Sequence, residues 1–264
     1  MLMAVKNQLR ITLLSIKYAF MRELLNKVTF ITNVIFMVLN NACMIVQWVI
    51  LYSLKDNFGG YTFNQVLLLW GFAAGTYGVS HFFFKDAYNL SETINSGKLD
   101  VYLVQPKNVL LSAITSNIET SALGDFVYGF IMLFIYGVTF QNFFLFIFFS
   151  ITGGLILTSV AVILGSLSFW FNKTETIVET GNSLMVNFAT YPDGIFKGFV
   201  KILLFTLIPV GLANYLPVKI ITKFDLGLTL IVLLFTIFIV TLAFMIFNKG
   251  LKRYSSTNLM NARI

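Results

Sequence analysis

The amino-acid sequence predicts an all-α integral membrane protein with six transmembrane helices, an N-terminal helix on the inner membrane surface and an outer re-entrant hairpin. Three observations predict this class. First, 58% of the 264 residues are hydrophobic and 11% are charged, whereas charged residues make up about 25% of an average soluble domain. Second, long apolar runs with almost no charge follow one another along the chain. Third, lysine and arginine are concentrated beside the ends of these runs.

The apolar runs are the predicted crossing helices. They cover residues 28–52, 61–84, 109–138, 143–170 and 226–247. Each run is longer than the roughly 20 helical residues that cross about 30 Å of hydrocarbon. We therefore predict a single transmembrane domain over residues 1–264.

Residues 1–27 precede the first run and are predicted to form a cytoplasmic interfacial helix over 4–26. Its apolar residues are Leu9, Leu13, Ile16, Phe20 and Leu24. They recur at helical spacing between basic residues, a pattern typical of a helix that lies on a membrane surface. Two roles fit this helix: an anchor that orients the first crossing, or a mechanical part of the protein.

The distribution of lysine and arginine sets the orientation. With a cytoplasmic N-terminus, 13 of these 18 residues lie inside, as the positive-inside rule requires. The five outside are Lys55, Lys197, Lys201, Lys219 and Lys223. Both termini are then cytoplasmic, including the tail at 248–264, and the number of crossings is even. We expect membrane lipid rather than nucleic acid as the partner of the basic residues, because they lie beside helix ends and form no aromatic-laced patch.

The stretch after the fourth run admits two arrangements. In the first, residues 174–191 form the fifth crossing and an extracellular re-entrant region at 192–225 dips back into the outer leaflet. In the second, 174–191 stays on the inner face and 199–216 is the fifth crossing, which the lysine count slightly favours. We expect the first, because Pro209 and Pro217 break the later segment, and a broken segment at membrane depth is tolerated where protein covers it.

Motifs for nucleotide binding and catalysis are missing from the sequence. A phosphate-binding loop needs glycines followed by Lys and Ser or Thr, but the one lysine so followed, Lys173, comes after Asn172. With a single cysteine, Cys43, and a single histidine, His81, the chain has no set of such residues for a metal site. We therefore expect no enzyme activity, no catalytic residue, no metal and no cofactor in this chain.

The most specific pattern lies in the longest internal cytoplasmic segment, residues 85–108. It reads Ile-x-x-Gly-x-Leu-Asp-x-x-Leu-x-x-Pro, and its fixed positions are Ile94, Gly97, Leu99, Asp100, Leu103 and Pro106. This pattern resembles the loop between the second and third crossings of bacterial ABC exporter permeases of the type II export fold, the ABC-2 family. Gln105 stands where that family often has arginine. The alternative is a plain solvated connector.

Two further stretches resemble the same family, so the resemblance covers nearly the whole chain. Residues 191–196, followed by Pro209 and Pro217, resemble its extracellular re-entrant region, and residues 250–255 resemble its C-terminal tail. The resemblance implies a dimer of permease subunits, identical or paralogous, in the bacterial cytoplasmic membrane. It also implies that each subunit docks through 85–108 on an ABC ATPase subunit, which binds ATP and Mg²⁺.

Polar residues inside the predicted helices are candidates for a translocation path. They are Asn40, Gln47, Glu119, Asp125, Glu179, Asn182 and Asn187. Intramembrane carboxylates are costly unless they are paired or face water. Glu119 is expected near the middle of the third run, and Asp125 in its outer half, about 17 residues or ~25 Å of helix from the start. On a path they would favour a cationic or zwitterionic cargo, whereas pairing with a lysine or a hydroxyl, or interhelical hydrogen bonds, would explain the same residues structurally.

The sequence therefore predicts the permease subunit of an ATP-driven exporter that moves a hydrophobic or amphiphilic substrate outward by alternating access. An ion-coupled secondary transporter is the alternative, with Glu119, Asp125 and Glu179 as its set of ion-binding carboxylates. An intramembrane lipid-modifying enzyme would need convergent acid, base or metal ligands, which one histidine and scattered carboxylates do not supply.

Overall fold

The computed structural model describes residues 2–105, 107–171 and 174–255. The α-helices of these residues are α1 (Leu2–Glu23), α2 (Lys27–Leu54), α3 (Phe63–Phe84), α4 (Leu90–Asn95), α5 (Asp100–Leu103), α6 (Val109–Ile114), α7 (Ala122–Tyr136), α8 (Phe140–Ser166), α9 (Glu175–Ala189), α10 (Gly198–Leu203), α11 (Leu216–Thr222) and α12 (Leu226–Leu251). A π-helical turn, Gly211–Tyr215, precedes α11. Within the described residues β pairing is limited to one bridge between Phe58 and Tyr61, so the all-helical class is confirmed.

In the part of the chain that the structure describes, four helices are long and apolar enough to cross a membrane, namely α2, α3, α8 and α12. They contain 28, 22, 27 and 26 residues. At 1.5 Å per residue, each of them covers the roughly 30 Å of a bilayer core. Four of the predicted apolar runs are therefore single helices, and the chain is a multi-pass membrane protein.

The prediction of one helix over 109–138 is wrong. The run is divided into α6 and the 15-residue α7, with a non-helical segment at 115–121 between them. Ser116 donates to Asp86 Oδ2 at 2.7 Å, and Asn117 donates to the same oxygen at 2.8 Å. Serine and asparagine side chains that form hydrogen bonds elsewhere compete with the backbone hydrogen bonds of a helix. The break was not predicted because the run as a whole is apolar.

α3 lies at the centre of the bundle, buried between α7 and α8. Its contact with α7 is close because glycines lie at the crossing. A Cβ on Gly71 would lie 3.2 Å from the carbonyl oxygen of Gly129, and one on Gly78 would lie 2.8 Å from that of Ala122. The small-residue pair Gly71 and Gly75 thus serves helix packing. Residue numbers rise along α3 as they fall along α7, so the two helices are antiparallel.

The bundle has two ends. We call the end that carries residues 85–108 the loop end, and the end that carries residues 55–62 the turn end. α9 runs between them, because Thr174 beside its start hydrogen-bonds with Ser91 of α4, while Gly194 beyond its end packs against the turn between α2 and α3. Contacts between the helices place α2 and α7 in the same direction as α9, and α3, α8 and α12 in the opposite one.

Residues 199–216, the alternative fifth crossing, do not form one helix. They contain most of the six-residue α10, turns and the π-helical turn. Pro209 lies between these pieces, where its missing N–H and fixed φ disfavour a continuous helix. In the described part of this region, every helix is therefore too short to cross a membrane alone.

α1 covers most of the segment predicted as a helix, residues 4–26, and lies at the loop end. Gln8 accepts a hydrogen bond from the backbone N–H of Asn108 at 2.9 Å. Near the other end of the helix, Arg22 donates to Asn117 at 2.7 Å. The side chains left exposed on and just after this helix include Leu13, Tyr18, Met21 and Leu25. α1 is thus docked on the bundle while keeping an apolar surface uncovered.

Candidate functional site

A cavity of about 420 Å³ lies between α2, α3, α7 and α9. Its volume is within the range of about 300–1,000 Å³ that holds drug-sized ligands. The lining residues include the aromatic and thioether side chains of Met37, Met44, Trp70, Tyr77, Met185 and Tyr191. Amide and hydroxyl side chains interrupt this apolar wall, so the cavity can hold an apolar body and orient a polar group.

Four of the seven predicted path residues line this cavity: Asn40, Gln47, Asp125 and Asn187. Asn40, Gln47 and Asn187 are also exposed at the surface of the chain. The cavity therefore opens on the face formed by α2 and α9. The fold brings together side chains from three helices that are distant in sequence.

The other three predicted path residues, Glu119, Glu179 and Asn182, are not among those that line the cavity. Glu119 lies in the break before α7 and not near the middle of a crossing helix, which corrects its expected position. Its Oε2 pairs with Lys85 Nζ at 2.7 Å, and Ser121 donates to its Oε1 at 3.1 Å. The structure thus shows the lysine pairing that was the structural alternative for Glu119.

Asp125 is the carboxylate that reaches the cavity. It lies in the first turn of α7 and is 4% exposed. Its Oδ1 accepts a hydrogen bond from Asn41 Nδ2 at 2.6 Å, and its Oδ2 has no hydrogen-bond partner among the described residues. Asn41 lies in the middle of α2, so Asp125 lies at the level of the middle of that helix. The break before α7 changes the count behind the expected position of Asp125, because residues 108–125 are not one unbroken helix.

Sequence reasoning missed several polar contributors to the cavity, among them Thr76, Tyr77 and Asn214. Asn214 is buried in the π-helical turn, and its Nδ2 donates to Thr76 Oγ1 at 3.4 Å. Tyr77 stacks on His81 with ring centroids 3.6 Å apart, and His81 stacks on Tyr88 at 3.9 Å. Tyr77 and His81 are one helical turn apart, and this spacing was a signal in the sequence that the two rings lie on the same face of a helix. Asn214 offered none, because its position depends on how a distant segment packs.

The described coupling positions lie at the loop end on two short helices, α4 and α5, and in the turn that joins them, a segment that we call the hairpin. Gly97 lies just after α4 with a φ of +74°, a conformation that glycine adopts without strain and that ends many helices. Ile94 and Leu99 are buried and pack in one core cluster with residues of α8 and α12. These two residues therefore hold the hairpin on the bundle.

The exposed side of α5 and of the residue after it is apolar. Val101, Leu103 and Val104 are 61%, 41% and 85% exposed. Asp100, at the start of α5, contacts Tyr254: burial, then hydrogen bonding to Asp100 and the negative charge of this carboxylate, raise the pKa of the Tyr254 hydroxyl. Pro106, the last position of the motif, lies outside the described residues.

α4 is bonded to the start of α9. Asn95 Nδ2 donates to Glu175 Oε1 at 2.6 Å. Ser91 shares a hydrogen bond with Thr174 at 2.7 Å, and Ser168 beyond α8 bonds with both of them. Later turns of α9 line the cavity. One helix therefore connects the predicted coupling segment with the cavity.

A second buried carboxylate, Asp193, lies at the turn end. It is 3% exposed and accepts a hydrogen bond from the Tyr61 hydroxyl at 2.8 Å. Its Oδ2 lies 3.0 Å from Lys201 Nζ and 3.4 Å from Lys219 Nζ. Burial raises the pKa of Asp193, but the bonds from Lys201 and Tyr61 and the charge of Lys219 outweigh burial and hold this pKa below its usual value. The cluster joins the region after α9 to the turn before α3.

Potential metal ligands are dispersed in the described residues. Within residues 2–105, 107–171 and 174–255, no three His, Cys, Asp or Glu side chains are close enough to hold a metal ion. Cys43 is exposed on α2.

The chain is a bundle of apolar helices with a cavity at the level of the middle of α2. One helix of the bundle, α9, links this cavity to the hairpin. This is the layout of a transporter's membrane subunit. Residues 20–258 match the family described as ABC-2 family transporter protein. The chain therefore belongs to the ABC-2 transporter family. Comparisons with curated proteins and with solved structures give no match. Membership implies partnership with an ABC ATPase subunit, and it does not favour the ion-coupled alternative.

Proposed function

We propose that this chain is the permease subunit of an ATP-driven exporter that moves a hydrophobic or amphiphilic substrate outward by alternating access. The observation that carries the proposal is the connection from the hairpin at 85–108, through the side-chain bonds of α4, to α9 and the cavity. A helix fixed in this way transmits a displacement as a rigid body, whereas a loose loop dissipates it. In this proposal the partner ATPase binds ATP and Mg²⁺, and this chain supplies no catalytic residue.

We assign six crossings to α2, α3, α7, α8, α9 and α12. The alternating directions of these helices between the loop end and the turn end support the assignment. α7 and α9 have 15 residues each, about 22 Å of helix, so flanking non-helical residues complete their crossings where protein covers them. The pieces within 192–225 then form the outer re-entrant region. The loop end, with its many basic residues, faces the cytoplasm, as do both termini, in the bacterial cytoplasmic membrane.

The face of α2 and α9 on which the cavity opens is assigned to a seam with a second permease subunit, identical or paralogous. Exposed amide side chains lie at this mouth on Asn40, Gln47 and Asn187. Amides are poorly accommodated by hydrocarbon, where they lack hydrogen-bond partners. A second subunit or a bound substrate satisfies them better than lipid, which supports a translocation path between subunits.

The exposed apolar residues of the hairpin, Val101, Leu103 and Val104, are assigned to the contact with the ABC ATPase. An apolar patch at a cytoplasmic surface marks a contact site. Gly97, Ile94 and Leu99 shape and hold the hairpin behind this patch. The uncovered apolar side chains of α1, with the neighbouring basic residues, are assigned to the inner lipid surface.

Leu103→Ala tests the coupling contact. We expect at least about fivefold weaker association with an ABC ATPase encoded beside the permease gene, because truncating an interface anchor costs more than about 1 kcal/mol. Membrane insertion should be unchanged. The measurements are co-purification of the ATPase on the tagged permease and ATPase activity of the complex.

Leu234→Ala is the matched control, because Leu234 is 64% exposed on α12 and lies far from residues 85–108 in the chain. This variant should assemble like the wild type. Equal ATPase association of the wild type, Leu103→Ala and Leu103→Asp would remove the hairpin from the contact.

A further inference from the structure

We propose that the cavity binds an amphiphile with one positive charge, whose cationic group pairs with Asp125 while its apolar body lies among aromatic and methionine side chains. The inference rests on the proposed function, because it names the substrate class of the same path. It is carried by the position of Asp125 and by the composition of the walls around it.

Asp125 lacks a hydrogen-bond or ion-pair partner that a bound cation would supply. Among the described residues that line the cavity, it is the only charged one. Asn41 satisfies its Oδ1, and its Oδ2 is left without a partner. Lys85, a basic residue at the loop end of α3, is already paired with Glu119 at 2.7 Å. A buried carboxylate of this kind is retained at a cost in free energy unless a ligand supplies the missing charge.

The side chains that line the cavity indicate the chemistry of the rest of the ligand, apart from its charged group. Trp70, Tyr77 and Tyr191 bring aromatic rings to the cavity, and the faces of such rings attract organic cations. Met37, Met44 and Met185 add flexible thioether side chains, which adapt to irregular apolar shapes. A volume of about 420 Å³ accommodates hydrocarbon or aromatic groups in addition to a single ammonium-like centre.

The same composition disfavours other cargo classes. An anionic amphiphile would face Asp125 with no lysine or arginine among the described lining residues. A bare divalent metal ion takes several charged or carbonyl oxygen ligands, but this wall offers one carboxylate and is otherwise largely apolar. A monocationic amphiphile satisfies both the charge and the apolar surface.

The test uses two probes of nearly equal shape and opposite charge, tetraphenylphosphonium and tetraphenylborate. The full-length chain is placed in nanodiscs of phosphatidylcholine, and binding is measured by equilibrium dialysis with empty nanodiscs as the blank. We expect the wild type to bind tetraphenylphosphonium at least about tenfold more tightly than tetraphenylborate. Asp125→Asn should weaken binding of the cation by about tenfold, equivalent to about 1.4 kcal/mol, and should remove the preference.

Glu119→Gln is the matched control, because it makes the same chemical change six residues earlier, at a carboxylate outside the cavity. It should keep the preference for the cation. Asp125→Glu keeps the charge and should retain a preference of the same sign. A wild type without charge preference, or an Asp125→Asn variant that keeps it, would overturn the proposal, and the wild-type measurement decides even if Asp125→Asn fails to fold.

The outcomes also separate this inference from the proposed function. If Leu103→Ala weakens the ATPase contact and the wild type shows no cation preference, the permease role stands and the substrate class is wrong. If cation preference depends on Asp125 and no ABC ATPase associates with the chain, the binding site stands and the exporter assignment is wrong.

Discussion

Asp125 and Asp193 are both almost fully buried, at 4% and 3% exposure, but their surroundings differ. Asp193 has a tyrosine hydroxyl and two lysines within bonding distance. Asp125 has one amide donor and an oxygen without a partner among the described residues. A buried charge with a full set of partners is compensated, so that breaking the set is costly, whereas a buried charge left incomplete beside a cavity is suited to a ligand.

The contacts of Asp193 predict that Asp193→Asn destabilises the protein. We expect a loss of about 1–3 kcal/mol in the free energy of unfolding near pH 7, because two lysines lose their shared carboxylate. The folded-state pKa of Asp193 is lowered, so its contribution is present above the unfolded pKa of about 3.9 and is lost as the pH falls through the folded value. The difference in melting temperature between wild type and variant should therefore shrink in strong acid.

Asp225→Asn provides the comparison for this measurement. Asp225 caps α12 by accepting from the Leu228 N–H at 3.0 Å, and asparagine is an equally good N-cap. This variant should melt like the wild type at both pH values. Asp193→Asn with wild-type stability at neutral pH would show that the cluster at the turn end adds nothing to the fold.

At the scale of elements, the hydrogen bonds between α4 and the start of α9 predict a variant that still assembles with the ATPase but no longer couples substrate binding to ATPase activity. Asn95→Leu keeps a similar volume and removes the bond to Glu175 at 2.6 Å. Substrate stimulation of ATPase activity should fall several-fold, because one of the side-chain hydrogen bonds that join α4 to the start of α9 is lost, while co-purification of the ATPase is retained. This pattern differs from that of Leu103→Ala, which weakens association itself.

Asn89→Leu makes the same change at an exposed position immediately before α4 and should leave stimulation unchanged. Asn95→Leu with full stimulation would show that motion reaches the cavity by another route. Loss of ATPase association in Asn95→Leu would mean instead that this residue shapes the hairpin.

The helices that sequence predicted well are those whose apolar runs are uninterrupted, since a run of apolar residues needs no tertiary information to be read as a crossing helix. The break at 115–121 was not predicted from the sequence, because it depends on hydrogen bonds from Ser116 and Asn117 to a distant aspartate. Polar residues of α2 and α9 were found because polarity in a membrane helix is conspicuous. Asn214 was missed because the π-helical turn that carries it is placed by packing.

At the scale of the whole molecule, the two ends of the bundle differ in what they carry. The loop end combines the hairpin, α1 and the end of α12, whereas the turn end combines the α2–α3 turn with the Asp193 cluster. α9 reaches both ends. A fifth crossing by α9 therefore places the region after it on the side opposite to the hairpin.

This arrangement predicts the accessibility of two lysine positions. In a Cys43→Ala background, Lys197→Cys should react in intact cells with a membrane-impermeant thiol reagent, because residue 197 is exposed and lies just before α10 beyond the end of α9. Lys98→Cys, at a position in the hairpin that is also exposed, should react only after the cells are permeabilised. The comparison is quantified as the labelled fraction of each variant before and after permeabilisation.

Lys197 and Lys98 suit this comparison because both side chains lie outside the cavity and away from the Asp125 site, so neither cysteine should disturb substrate binding. If 199–216 were the fifth crossing instead, residue 197 would share the cytoplasmic side with residue 98. Both variants would then label only in permeabilised cells. Labelling of Lys98→Cys alone in intact cells would show that the topology is inverted. It would place the basic loop end outside and contradict the positive-inside distribution of charge.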